Sequence, residues 1–338
     1  MKDLYNLHNF YNVETNGKSS KQLNNRGKSF GYQVLGFGSG VAAEVVIDPN
    51  QRGIFGFGVH DSSHGETNLV STSGVVASDT SAVGSTRYGQ AGASYGIDKG
   101  IFAYGFGGGS VNSLSNLVNN LGVVAADVTG VGTARTTLGA ATYGGDKALF
   151  GYGIIAPNDK SMTNLVTNVG VVGSDVSGVG TARNAPAATT YGSNRQTAMF
   201  AFGNIGSGTY TSIKNLVTNV GVVGDDVSGV GTARHGLAAA AYGGDKAIFG
   251  YGTAGYNISL TNLVSSVGVV SSDVTGVGTA RHWTAATVYG GDKAVFAFGT
   301  TIGSTAVSNK VSNVGVVATD TGAVGTARSM VSGLGYSV

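Results

Sequence analysis

Large apolar residues and glycines alternate in the run Ala247-Ile248-Phe249-Gly250-Tyr251-Gly252. Side chains on a strand point to opposite faces in turn, so this run predicts a strand with Phe249 and Tyr251 on one face and Gly250 and Gly252 on the other. The same arrangement recurs at Phe55/Phe57, Phe102/Tyr104, Phe150/Tyr152, Phe200/Phe202 and Phe296/Phe298. It suits a sheet whose aromatic face packs on the glycine face of the next sheet. Upstream, the small residues 238–242 predict a first strand, and Gly243-Gly244-Asp245 predicts the hairpin turn between the two, because glycine accepts positive φ without steric cost. Downstream, residues 216–223 alternate with apolar side chains on both faces and predict a third strand covered on both sides. Residues 232–234, Thr-Ala-Arg, predict a short fourth strand.

The pattern is copied along the chain. Gly-Val-Val starts at Gly74, Gly122, Gly170, Gly221, Gly268 and Gly315, at intervals of 48, 48, 51, 47 and 47 residues. Five residues after each of these glycines stands an Asp (Asp79, Asp127, Asp175, Asp226, Asp273, Asp320), and thirteen after it an Arg (Arg87, Arg135, Arg183, Arg234, Arg281, Arg328). Spacing this regular marks one supersecondary unit repeated and stacked. Four short antiparallel strands in about 47 residues is the size of a β-propeller blade, whereas a β-helix coil needs roughly half that length.

The ends favour a closed ring. The Arg-to-Tyr spacing of eight, seen from Arg234 to Tyr242, is kept from Arg328 to Tyr336, so the chain stops after one more first strand. Residues 32–38 read as a second strand without its first. Pairing of the N- and C-terminal strands would close the ring. Counting residues 41–47 as a first strand gives seven blades; six is the alternative if residues 29–47 lie outside the ring. The expected organisation is therefore an all-β propeller of four-stranded blades over residues 29–338, preceded by residues 1–28. That leading segment lacks the Gly-Val pattern and is rich in Asn and Lys. It reads either as a polar tail or as an attachment arm anchored by Tyr5, Phe10 and Tyr11.

Composition narrows the function. Glycine supplies 58 of 338 residues but proline only 3, and 41% are apolar, so the glycine serves structure rather than disorder. A net charge of +2 argues against nucleic acid as a partner. The absence of cysteine removes disulfides and Cys-ligated metals. No apolar run of about 18 residues is present to insert in a membrane, and the reading is of a soluble protein.

A catalytic pair copied six times makes little sense, so the repeated Asp and Arg read as scaffold, the Asp accepting backbone N–H bonds in its turn and the Arg reaching a carboxylate or carbonyl. The Asp-Lys pairs of the hairpin turns read as solvated. His60 and His64 share a loop with Asp61 but lack a third firm ligand. Neither a metal, a cofactor nor an enzyme activity is expected. Recognition should reside where the copies disagree. Those places are the loops after each second strand and the positions after each Arg: Tyr88, Thr136, Asn184, His235, His282 with Trp283, and Ser329 with Met330. Tyr88, Asn184, His235, His282 and Trp283 are the candidate partner face, and Trp283 suits a sugar or protein contact.

The text YGGDKAIFGYG followed by TNLVxxVGVVxxDVTGVGTAR resembles repeat proteins of marine tailed bacteriophages, such as cyanophages, that are virion structural or tail-associated. More distantly it is similar to kelch propellers, although here Gly-Gly sits in the first hairpin turn and no Trp recurs in each unit. The resemblance implies a virion protein attached to other virion proteins through its N-terminal arm, with its loops offered to a host-surface glycan or protein. The alternative is a soluble, lectin-like propeller.

Overall fold

In the computed structural model, which describes residues 51–338, the repeated text folds into six antiparallel sheets of three or four strands, with two short two-stranded ribbons in the loops, Phe106–Gly107 with Ser110–Val111 and Ile154–Ile155 with Asn158–Asp159. Sheet 2 runs outward from Ala91–Tyr95 through Lys99–Ala103 to Ser115–Val118. Sheet 3 is built the same way from Gly139–Tyr143, Lys147–Gly151 and Thr163–Val166, and adds a fourth strand, Val172–Val176. Sheet 4 comprises Ala187–Tyr191, Thr197–Asn204 and Tyr210–Val217, and sheet 5 comprises Ala238–Tyr242, Lys246–Gly250 and Thr261–Val264. Ala285–Tyr289, Lys293–Ala297 and Ser308–Val311 form sheet 6.

Sheet 1 joins the two ends of the described chain. Its inner strand is Ser332–Tyr336, followed by Arg52–Val59 and Ser63–Val70. Arg52 pairs with Tyr336 and Gly56 with Ser332. The C-terminal strand thus takes Arg52–Val59 as its partner; residues 32–38, read as a second strand, lie outside the described residues. The C-terminal strand also fills the edge that a first strand at residues 41–47 would have used. Residues 29–47, like Tyr5, Phe10 and Tyr11 of the expected arm, lie outside the described residues.

The first two strands and their Gly-Gly-Asp turn form as the sequence predicts, with Gly243 and Gly244 at φ 63° and 80°. The rest of the unit departs from prediction. The third strand of sheet 4 ends at Val217, and residues 218–221 turn back, Gly221 lying at φ 83° with the Tyr143 ring beneath it. Val217 then bridges Val223, and Lys214 bridges Val227. So residues 216–223 are a strand end and a turn, and Val220 and Val222 are 67% and 59% exposed. The outer, fourth position belongs to the segment after that turn. Residues 232–234 leave the sheet and cross to the next.

The aromatic pair is also divided differently. Tyr251 adopts φ 64°, which cancels the alternation and keeps its side chain on the side of Gly250. Phe249 therefore packs against Phe202 of sheet 4, at 5.3 Å, while Tyr251 packs against Phe296 of sheet 6, at 5.2 Å. Phe57, Tyr104, Tyr152, Phe202 and Phe298 share this conformation at φ 61° to 65°. A left-handed residue costs about 1–2 kcal/mol, which full burial of an aromatic side chain, worth about 1.5–3 kcal/mol, offsets. Gly250 leaves the room: a Cβ there would lie 2.7 Å from the end of the Phe296 ring. The expected packing of aromatic rings on glycine is thus present, but the rings serve both faces of each sheet.

The six arginines tie each sheet to the next. Arg234 has no exposed surface; its Nε donates to the Tyr251 carbonyl at 2.9 Å, Nη1 to the Thr232 carbonyl at 3.1 Å and Nη2 to Asn262 Oδ1 at 2.7 Å. Its guanidinium lies 4.3 Å from the centre of the Phe202 ring. Beside it, the Thr232 backbone N–H and hydroxyl donate to Asp273, which also accepts from Asn262. Burial opposes ionisation of Asp273, but the hydrogen bonds from Thr232 and Asn262, with Arg234 beyond, outweigh it and hold the carboxyl below its ordinary value. The Asp therefore accepts from the preceding unit rather than from its own turn. The same set recurs at all six joints, and the last, Arg328 to the Phe57 carbonyl and Asn68 with Thr326 to Asp79, runs from sheet 6 to sheet 1.

Candidate functional site

Each Arg is followed by a residue that leaves the framework. Tyr88, Thr136, Asn184, His235 and His282 bridge through their backbone to Phe106, Ile154, Asn204, Thr253 and Thr300, the residues that begin the loops after the second strands. Ser329 does the same with Val59. The two variable regions of the sequence are thereby brought together at one end of the sheets.

The next residue in every copy is left-handed: Gly89, Thr137, Ala185, Gly236, Trp283 and Met330 have φ between 47° and 63°. Their backbones are linked across sheets, with Thr137 N donating to Gly89 O, Ala185 N to Thr137 O, Trp283 N to Gly236 O and Met330 N to Trp283 O. Below them, four residues from each of the six units line a cavity of about 120 Å³.

Three of the five expected site residues meet here. The Tyr210 ring stacks on the His235 imidazole with centres 4.7 Å apart and planes at 26°. His235 meets the Trp283 indole edge-on at 5.3 Å, and the His282 ring lies 6.0 Å from the indole, tilted at 46°. The His282 ring is fixed by a 2.6 Å contact between Nδ1 and Asn257 Oδ1. All five groups are half-buried. Tyr88 and Asn184 stand apart from this cluster: Tyr88 packs on Phe106, and Asn184 donates to Asp159 at 2.7 Å. Tyr210 and Asn257 were not singled out by the sequence, which marked their loops as variable without distinguishing which side chain turns back toward a neighbouring sheet. An aromatic residue closing a Gly-Ser-Gly-Thr loop was the available signal for Tyr210.

Burial, with the neighbouring His282 adding to it, pulls the His235 pKa from 6.5 down to about 4. His235 is thus neutral at physiological pH, and its buried Nδ1 has no hydrogen-bond partner among the described residues. The folded value lies below the unfolded one, so between pH 6.5 and about 4 the unfolded chain binds the extra proton and stability falls as pH falls. The unfolding midpoint should therefore drop more between pH 7 and pH 5 in the native chain than in His235→Gln, as followed by circular dichroism on heating.

The surface so formed is amphipathic: flat rings with an indole N–H, imidazole nitrogens and an amide at their edges. It can stack on an apolar ligand face and hydrogen-bond at its rim. Among the described residues, no group of three His, Asp or Glu side chains could hold a metal ion. His64 is paired with Glu66 at 3.0 Å, and His60 lies beside Asp61 at 3.6 Å. No helix among the described residues is long and apolar enough to cross a membrane. Comparison of the sequence with protein-family models and with curated proteins gives no match.

Proposed function

We propose that the six sheets are the blades of a β-propeller and that the protein is a non-enzymatic recognition component of a bacteriophage virion. Six blades are favoured over seven because Ser332–Tyr336 occupies the free edge of Arg52–Val59. The inner strands support a ring as well: each lies against two others, and the inner strand of sheet 6 leads back to that of sheet 1. The observation that carries the recognition role is the division of labour among residues. The repeated Arg and Asp are consumed in ties between sheets, while the residues that differ from copy to copy lie at one end of the sheets, His235 and His282 among them meeting Trp283. The virion assignment is supported by the resemblance of the repeated text to phage virion proteins. In this reading residues 1–28 attach the protein to other virion proteins, and the Trp283 face meets a host-surface glycan or protein.

The stack of Tyr210, His235 and Trp283 also favours a second reading, a free carbohydrate-binding propeller. Mass spectrometry of purified particles of the encoding phage, together with binding of the full chain to host-surface glycans, separates the two. The expected result is that the chain is present in particles and that Trp283→Ala weakens surface binding at least tenfold, about 1.4 kcal/mol, with no change in fold. Glycan binding by a chain absent from particles would sink the virion reading. Undiminished binding by Trp283→Ala would sink the assignment of this face.

A further inference from the structure

One hairpin turn breaks the repeat at the opposite end of the inner strands. In sheet 3, Tyr143 pairs with Lys147 across a three-residue turn, whereas in sheet 4 Tyr191 pairs with Thr197 across the five residues 192–196. The two added residues place Arg195, at φ 56°, inside the ends of the strands. Its backbone is held by hydrogen bonds to Gly192 and from Gly145. Its side chain is only 8% exposed, and it lines a second cavity, of about 70 Å³, between the six inner strands.

Everything else lining that cavity is Gly, Ala, Ser, Thr, one Val and one Leu. Arg195 is the one charged group there, and its buried Nη1 has no hydrogen-bond partner among the described residues. The nearby hydroxyls are already donating to backbone: Ser94 to Gly335 O, Thr142 to Ser94 O, Thr190 to Thr142 O and Thr287 to Leu334 O. Asp146, the nearest acidic influence, is engaged by Lys147 at 3.5 Å and Asn168 at 3.1 Å. A buried cation whose acidic neighbour is already engaged by other groups is costly to hold, and a guanidinium presents a planar fork of donors that matches an oxyanion.

We propose that Arg195 makes this end of the cavity a binding site for a small oxyanion, a phosphate or carboxylate group. A cavity of about 70 Å³ exceeds the ~10–15 Å³ that one water needs and leaves room for such a group. Arg195 lies at the opposite end of the inner strands from Trp283.

The test is thermal unfolding of the full chain at pH 7 in inorganic phosphate, acetate and chloride at matched ionic strength. The expected result is a saturable rise of about 3 °C in phosphate or acetate over chloride, lost in Arg195→Gln and retained with weaker affinity in Arg195→Lys. Whichever anion acts identifies phosphate or carboxylate as the group bound. Coincident curves in all three salts would overturn the proposal, as would an undiminished rise in Arg195→Gln. Should Arg195→Gln fail to fold, the native chain decides by phosphorus NMR: broadening of the phosphate signal that sulfate relieves supports the site, and an unbroadened signal, or broadening unaffected by sulfate, refutes it where phosphate is the active anion. For an acetate-specific site the proton line width of acetate, with formate as competitor, is read in the same way.

Discussion

Arg234→Met should lower the stability of the protein by about 2–6 kcal/mol, read as a shift of the urea unfolding midpoint. Methionine keeps the length and the apolar stem, so packing on Phe202 largely survives. What disappears is the fan of donors. The Tyr251 carbonyl and Asn262 Oδ1 would be left without their guanidinium partner in a place with no solvent. Each orphaned buried acceptor costs about 1–3 kcal/mol. Arg234→Lys should lose nearly as much, because an ammonium is a point charge and cannot reach both acceptors and Thr232 in the plane of a guanidinium. Asp273→Asn is the informative contrast. Its side chain is 26% exposed and stands 3.8 Å from Arg234, so the ion pair itself should contribute no more than about 1 kcal/mol. If Asp273→Asn proved as damaging as Arg234→Met, the Arg would be acting as half of a salt bridge and not as a hydrogen-bond hub.

A chain ending at Val331 should lose cooperative unfolding altogether, a loss comparable to the whole stability of a domain, about 5–15 kcal/mol. Removing Ser332–Tyr336 strips the inner edge of Arg52–Val59 and leaves its N–H and C=O groups open to other chains. It also withdraws Leu334 from its contact over Gly100 and Tyr336 from its contact beneath Gly122, both on sheet 2. Two sheets are therefore damaged by the loss of one strand. Aggregation on gel filtration and a broadened, low-amplitude thermal transition are the expected readouts. Adding a synthetic peptide of residues 329–338 should recover part of the sharp transition. Gly333→Val gives a milder version, since a Cβ there would meet the Ala286 carbonyl oxygen at 2.3 Å. A truncated chain that unfolds as sharply as the full one would show that the terminal strand is dispensable.

What could be read from the residues follows from how local each cause is. Alternation across two strands and the Gly-Gly-Asp turn are set by neighbours within ten residues, and sheets 2, 3, 5 and 6 form their first hairpin where the text predicts. Tyr251 shows the limit. Its left-handed backbone has no signature of its own in an aromatic residue, and the reason for it lies in Phe296, on another sheet. Residues 216–223 show another: Val220 and Val222 look like core by composition, yet Gly221 turns the chain between them. At the site, the variability of the loops and of the positions after each Arg was legible. The convergence of Tyr210 on His235 was not, because it depends on a loop from sheet 4 reaching the start of sheet 5.

The residue after each Arg makes the same main-chain bridge to the loop opposite in every copy, whatever its side chain touches. Tyr, Thr, Asn, His and Ser all occupy that place in one molecule, so the bridge is indifferent to what it displays. Substitutions there leave the hydrogen bonds that tie sheet to sheet untouched. If this end of the sheets meets a changing partner, as proposed, these positions could be rewritten one at a time without redrawing the ties that hold the sheets together.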